Sequence, residues 1–287
     1  MTDSYVERRP SPALARLVRT IWVHRTGDAV YLQRHLPTGG VELHIPIGGA
    51  PTLAGPLTAH WVEAIPARTT IVGVRFLPGA APPLPVMLDE LVDQRIPLAD
   101  LWGAMAARLA DAMAEAFERT GRLEHAVAVL EDVLLREFRT AQHVDRLVRE
   151  AVTVLMPWHP VDVGAVAAHL ALSESQLRRR SLQVLGVSPK VLQRTLRFQG
   201  FLALAQAGVA ATGRRGEDGI ASLAVDAGYA DQAHLTRECV RLTGLTPRTL
   251  LHGDLERCAC GHDHSASYAP FLAGRSAAPP GSVMPDR

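Results

Sequence analysis

The stretch Ala227-Gly228-Tyr229-Ala230-Asp231-Gln232-Ala233-His234-Leu235-Thr236-Arg237 decides how the second half of this chain is read. Residues from Gly219 to Tyr229 read as a short helix ended by glycine. Asp231 then offers the short acceptor side chain of a helix N-cap, which predicts a second helix from Gln232 to about Leu242, closed by Gly244. On that helix Gln232, Thr236 and Arg237 form a polar face opposite Leu235 and Cys239. Two short helices across a tight turn have helix-turn-helix spacing.

The same plan stands upstream. Val163 to Leu170 is a short helix whose small residues, Ala167 above all, let a second helix cross closely. Ser173 is an N-cap candidate for a helix from Glu174 to about Leu185, ended by Gly186. With Leu177, Val184 and Leu185 turned to the core, Ser175, Arg178 and Arg179 lie outward near the N-terminal half, where a recognition helix meets base edges in a major groove. Between the two units Pro189 to Ala207 is one continuous helical pattern (Val191, Leu192, Leu196, Phe198, Leu202, Leu204), a rigid spacer.

These residues resemble the DNA-binding domain of the AraC family of transcription regulators, which has two helix-turn-helix units joined by a long helix. The resemblance covers roughly residues 158 to 251. It is carried by Ser173 to Arg179, by Gly186-Val187-Ser188-Pro189-Lys190, and most specifically by Ala227 to Arg237 followed by Thr243-Gly244-Leu245-Thr246-Pro247. It implies base-facing positions at Glu174, Ser175, Arg178 and Arg179 in the first unit, and at Gln232, Ala233, Thr236 and Arg237 in the second. It further implies that both units enter successive major grooves of double-stranded DNA, with Lys190, Arg194, Arg197, Arg214 and Arg215 on phosphates, and that RNA polymerase is a partner of an activator of this kind. Two departures are Ser181 and Cys239, which stand where the family usually has a core aromatic. A third is Gly208 to Gly219, longer than usual.

Working outward, Pro157 and Pro160 end the helical pattern before the reader and set a boundary. From Leu98 to Met156 proline disappears, and Leu101, Met105, Leu109 and Met113, then Leu123 to Phe138, then Val144 to Leu155 predict three amphipathic helices, with breaks near Thr120-Gly121 and near Thr140 to His143. Their apolar stripes suit the chain's own core better than a homodimer interface. Residues 1–97 are mainly β: Val41 to Ile45 alternates with period two, Thr70 to Phe76 is β-branched before Leu77-Pro78-Gly79, and Trp61 to Ile65 is a third strand. Ser11 and Pro12 predict a short helix opening Ala13 to Trp22. The fold class is α+β: a β-rich, cupin-like small barrel (1–97), a helical connector (98–156), an all-α double helix-turn-helix domain (157–252), and a mostly disordered tail (253–287).

The first hundred residues resemble, through Leu36-Pro37-Thr38-Gly39-Gly40 and Val72 to Gly79, the N-terminal module of actinobacterial AraC-type regulators. The resemblance implies binding of a small-molecule effector or oligomerisation. Trp22, His44, Trp61, Arg75 and Phe76 are the pocket candidates. His35, Glu42, His44 and His60 raise the alternative of a metal-dependent barrel enzyme, but none follows a metal-cupin spacing, so they read as satisfied or exposed side chains and no catalytic residue is assigned. In the tail Cys258, Cys260, His262 and His264 alternate, so an extended segment projects them to one side as ligands for Zn or Cu(I). A metal-responsive DNA-binding regulator using that tail is the second reading.

Composition bounds the rest. The chain has 287 residues, 47% of them hydrophobic and 21% charged, which fits about two globular domains. Three cysteines are too few and too clustered for a disulfide framework. No apolar run approaches a membrane span or a secretory leader, so a cytoplasmic protein is expected. Thirty basic against 29 acidic residues leave a net charge of +1, yet this hides a local excess: between Ser173 and Arg215 eight basic residues face one acidic residue. A polyanion partner fits that segment and not the chain as a whole.

Overall fold

The computed structural model describes residues 3–140, 145–159, 161–212, 219–252 and 264–277. The strands are β1 (Ser4–Arg8), β2 (Val18–Arg25), β3 (Tyr31–His35), β4 (Glu42–Pro46), β5 (Thr52–Ala54), β6 (Trp61–Ile65), β7 (Thr70–Phe76) and β8 (Arg95–Pro97). Six of them form one antiparallel sheet in the order β1-β2-β7-β4-β5-β8, while β3 and β6 pair as a separate ribbon. The expected small barrel is therefore two unclosed sheets. The ribbon meets the larger sheet through side chains, Tyr31 and Ile65 packing on Trp22 and Ile71.

Ser11 and Pro12 start only a turn, with Leu14 N–H donating to the Ser11 carbonyl at 2.9 Å and Val18 N–H to that of Leu14 at 2.8 Å. The short helix expected to open Ala13 to Trp22 is a run of turns over residues 12–17, and β2 follows from Val18. This strand lies between β1 and β7 and is covered on both faces, which favours the β-branched residues Val18, Thr20 and Ile21.

Away from the exposed β1 edge both faces of the large sheet are largely covered, but they differ in chemistry. One carries Ile21, Leu43, Ile45, Leu53, Val72, Val74 and Phe76 in a continuous apolar core with the helices. The other carries Glu7, Trp22, His24, Glu42, His44 and Arg75, polar or aromatic side chains around Gly73. Gly73 lies opposite Trp22, and a Cβ there would meet the indole Cε2 at 1.9 Å. Gly73→Ala is expected to destabilise the protein by about 1–3 kcal/mol by forcing the ring off its seat, read as a lower urea midpoint.

The connector contains α1 (Leu98–Trp102), α2 (Ala104–Thr120), α3 (Leu123–Thr140) and α4 (Arg146–Val154). The first expected helix is split at Gly103 and the next break falls at Gly121, both with positive φ (55° and 66°). Leu109, Met113, Val127, Leu130 and Leu134 of α2 and α3 join the apolar core of the sheet. The reader contains α5 (Val163–His169), α6 (Glu174–Leu185), α7 (Pro189–Thr212), α8 (Ile220–Asp226), α9 (Gln232–Thr243) and α10 (Pro247–His252).

The tail expected to be mostly disordered contains α11 (Ser265–Ala277), which packs on α7 and reaches β1 and β2. Tyr268, Phe271 and Leu272 form its short apolar stripe, and Trp158 Nε1 donates to the Phe271 carbonyl at 2.7 Å. Ser, Ala, Pro and Gly around that stripe dilute it in the sequence. Among the described residues no helix is long and apolar enough to cross a membrane.

Candidate functional site

Each helix-turn-helix unit is fixed by its own caps. Asp162 caps α5, its Oδ1 accepting from Ala165 N–H at 2.7 Å, and Ala171 makes the turn with φ 53°. Ser173 and Gln176 close a capping box on α6: Ser173 Oγ accepts from Gln176 N–H at 3.2 Å, and Gln176 Oε1 from Ser173 N–H at 2.9 Å. Gly186 ends the helix in the left-handed region. In the second unit Asp231 Oδ1 accepts from His234 N–H at 2.6 Å, and Gly244 closes α9.

The caps set which faces turn outward. On α6, Leu177, Ser181 and Leu185 are buried, whereas Glu174, Ser175, Arg178 and Arg179 are exposed. On α9, Leu235, Cys239 and Leu242 are buried, and Gln232, Ala233 and Arg237 are exposed. Thr236 is half-buried and donates its hydroxyl to the Gln232 carbonyl at 2.8 Å. Lys190 stands exposed in the first turn of α7. Arg194, expected on phosphate, lies 3.3 Å from Glu238 of α9 through its Nε. Arg180 bonds Asp145 at 2.7 Å. The spacer reaches the second unit also through Arg197, stacked 5.7 Å over the Tyr229 ring. Arg214 and Arg215 lie outside the described residues.

The two positions without their aromatic differ in consequence. The Ser181 hydroxyl is buried without a partner among the described residues. Cys239 sits 3.8 Å from Thr243 Oγ1 in the core, and burial pushes its thiol up to about 11, so it is a packed, unreactive side chain.

Behind the reader lies a cavity of about 100 Å³, lined on one side by Leu202, Ala205, Leu250 and Leu251 and on the other by Arg19, Arg34, Glu42 and Arg75. Arg75 is the one pocket candidate that lines it. Phe76 is in the apolar core, Trp22 supports the polar face, and His44 and Trp61 stand beside His35. Arg75 pairs with Glu42 at 3.1 Å and, more tightly, with Glu7. Burial alone would raise Glu42, but Arg75 and the His44 hydrogen bond bring it down to about 2. Burial lowers His44 to about 4, so its ring is neutral.

Arg19, which sequence reasoning passed over, is only 4% exposed. Its donors meet neutral oxygens: Nε to the Ser267 carbonyl at 2.6 Å, Nη2 to Gln199 Oε1 at 2.8 Å, and Nη1 more weakly to the Thr38 carbonyl. No carboxylate among the described residues reaches it as an ion pair, and burial lowers it to about 10. Gln199 also donates to the Pro37 carbonyl at 2.7 Å, so the spacer helix is bonded directly to the cavity wall.

Of the tail ligands, Cys258, Cys260 and His262 lie outside the described residues. His264 faces Glu7 Oε1 at 2.7 Å through its Nδ1. His35 and His44 do come together, joined by Glu63 and not by His60, which lies against Gly244.

Residues 166–253 match the family described as a helix-turn-helix domain, and residues 6–97 match a domain of unknown function, DUF6597. No curated protein matches the chain. Two solved structures of ToxT from Vibrio cholerae are similar to it. One is 11% identical and covers 88% of this chain and 98% of its own, with a TM-score of 0.41. The other, bound to unsaturated fatty acid, is 9% identical and covers 91% and 97%, also with a TM-score of 0.41.

Proposed function

Since residues 166–253 are an AraC-type helix-turn-helix domain, we propose that this chain is a sequence-specific transcription regulator that reads two successive major grooves and is set by a small effector. The observation that carries the reading is the pair of capped helices α6 and α9, each with a buried apolar face and an exposed face of Arg, Gln and Ser side chains. Arg178 and Arg179 have the forked donors that meet guanine O6 and N7, and Gln232 the amide that meets adenine. Lys190 supplies a phosphate contact that fixes register.

The effector class follows from Arg19. A buried guanidinium bonded only to neutral oxygens beside a cavity is an electrostatic vacancy for an anion, and the facing wall of Leu202, Leu250 and Leu251 suits an apolar portion. The effector is therefore a small carboxylate or phosphate ester. Through Arg19 and Gln199 its charge acts on α7, the helix that joins the two readers. RNA polymerase and a second copy of the chain are the further partners of an activator of this kind.

Selection of bound duplexes from a random pool by the full chain tests the reading. The recovered sites are expected to share two short elements about one helical turn apart, with affinity falling steeply as salt rises. No enrichment, or a single element, overturns it. A thermal-shift panel of small carboxylates and phosphate esters, run on the chain and on Arg19→Gln, tests the effector class, stabilisation being confined to the unaltered chain.

A further inference from the structure

His35 on β3, His44 on β4 and Glu63 on β6 bring three ligating atoms within 4.8 Å of one another in the interior between the two sheets. We propose that this cluster binds one divalent transition-metal ion of the zinc, cobalt, nickel or iron(II) type, with the two imidazoles and the Glu63 carboxylate as ligands. The assignment is independent of the DNA-reading function.

The strands hold these groups in place. The His35 ring stacks on Trp61 at 4.8 Å and on His44 at 5.0 Å, and Trp22 meets His44 edge-on at 5.2 Å. Each imidazole Nε2 faces a carboxylate oxygen: His35 faces Glu63 Oε2 at 3.1 Å, and His44 faces Glu42 Oε2 at 3.5 Å. A metal ion takes the place of those contacts. Glu63 uses only Oε2, toward both His35 and Arg95, so its Oε1 remains open to an ion among the described residues.

Glu42, held by Arg75 at 3.1 Å and lying 3.5 Å from His44 Nε2, adds a second carboxylate beside the site. Arg95 competes with an ion for Glu63 but has two other anchors, Nε donating to Thr52 Oγ1 at 2.9 Å and its guanidinium lying 5.1 Å over Trp61. It therefore stays docked while Glu63 turns to the metal. Two nitrogens and one carboxylate select a borderline ion over magnesium or calcium, which want oxygen ligands throughout. Three protein ligands leave at least one coordination position open. His35 and Glu42 also line the cavity, so that position borders the proposed effector site.

The test must separate this site from the cysteines of the tail. The full chain carrying Cys258→Ser and Cys260→Ser is titrated with Co2+, followed by visible absorption and by calorimetry. One ion per chain is expected, with ligand-field bands and no thiolate charge-transfer band. Adding Glu63→Gln, which keeps the side chain's shape, or His35→Gln is expected to weaken binding about 100-fold or more with the circular dichroism spectrum unchanged. Absence of Co2+ binding in the chain without the two tail cysteines overturns the site, as does binding that neither substitution moves. DNA affinity is not the readout, so failure here leaves the regulator reading standing.

Discussion

Replacing Arg178 and Arg179 together by alanine is expected to weaken operator binding by about 100-fold to 1,000-fold, with the thermal midpoint of the protein nearly unchanged. Both side chains are exposed on the first two turns of α6, and neither contributes to the buried face of Leu177, Ser181 and Leu185. A good bidentate contact to a base is worth about 1–3 kcal/mol. Adjacent residues couple, so the pair should lose somewhat less than twice one contact. Arg180→Ala is the internal control. Arg180 belongs to the same run of three but bonds Asp145, which also caps α4, and an ion pair this exposed is worth at most about 1 kcal/mol. Its removal should leave DNA affinity almost unaltered. The specificity change should be local as well, Arg178 and Arg179 affecting one element of the site and Arg237→Ala the other. Affinity in the double variant equal to that of the unaltered chain would remove α6 from the interface.

The contrast among those three arginines marks the limit of what the sequence displays. Caps are local chemistry, so Ser173, Asp231, Gly186 and Gly244 identify the ends of α6 and α9 without reference to anything distant. Period-two alternation likewise exposes β4, and a β-branched run before a breaker exposes β7. Which arginine lies against a carboxylate is decided by residues far along the chain: Asp145 bonds Arg180, and Glu238 stands 3.3 Å from Arg194.

The same distance hides the chemistry of the N-terminal half. Nothing local to Val18-Arg19-Thr20 distinguishes Arg19 from an ordinary exposed arginine. It is buried because β2 sits between two strands and because α11, 248 residues onward, places Ser267 against it. Glu63 joins His35 and His44 only through the β3–β6 ribbon and its packing on the large sheet. No spacing within the sequence encodes that meeting, and His60, the histidine nearest in sequence to Glu63, goes elsewhere.

The docking of α11 yields the largest expected loss of stability. Phe271 is 3% exposed and belongs to a core built from α4, α5, α6 and α7, and its ring lies 4.7 Å from the Arg19 guanidinium. Phe271→Ala removes the ring from that core and leaves a void beside a buried cation. A cost of about 3–5 kcal/mol is expected, or roughly 10 °C in the thermal midpoint of a chain this long. Phe271→Leu, which keeps most of the volume, should recover most of it. The helix also holds cavity groups: Ser267 N–H donates to Glu7 Oε2 at 2.9 Å, and the Ser267 carbonyl accepts from Arg19. Amide hydrogen exchange across 264–277 should therefore accelerate in Phe271→Ala together with exchange in β1 and β2, the strands it touches. A midpoint within about 2 °C of the unaltered protein would mean that α11 contributes nothing to the folded state in solution. In that case Arg19 would have to find its oxygens elsewhere, and the anion site argued from its surroundings would lose one of its walls.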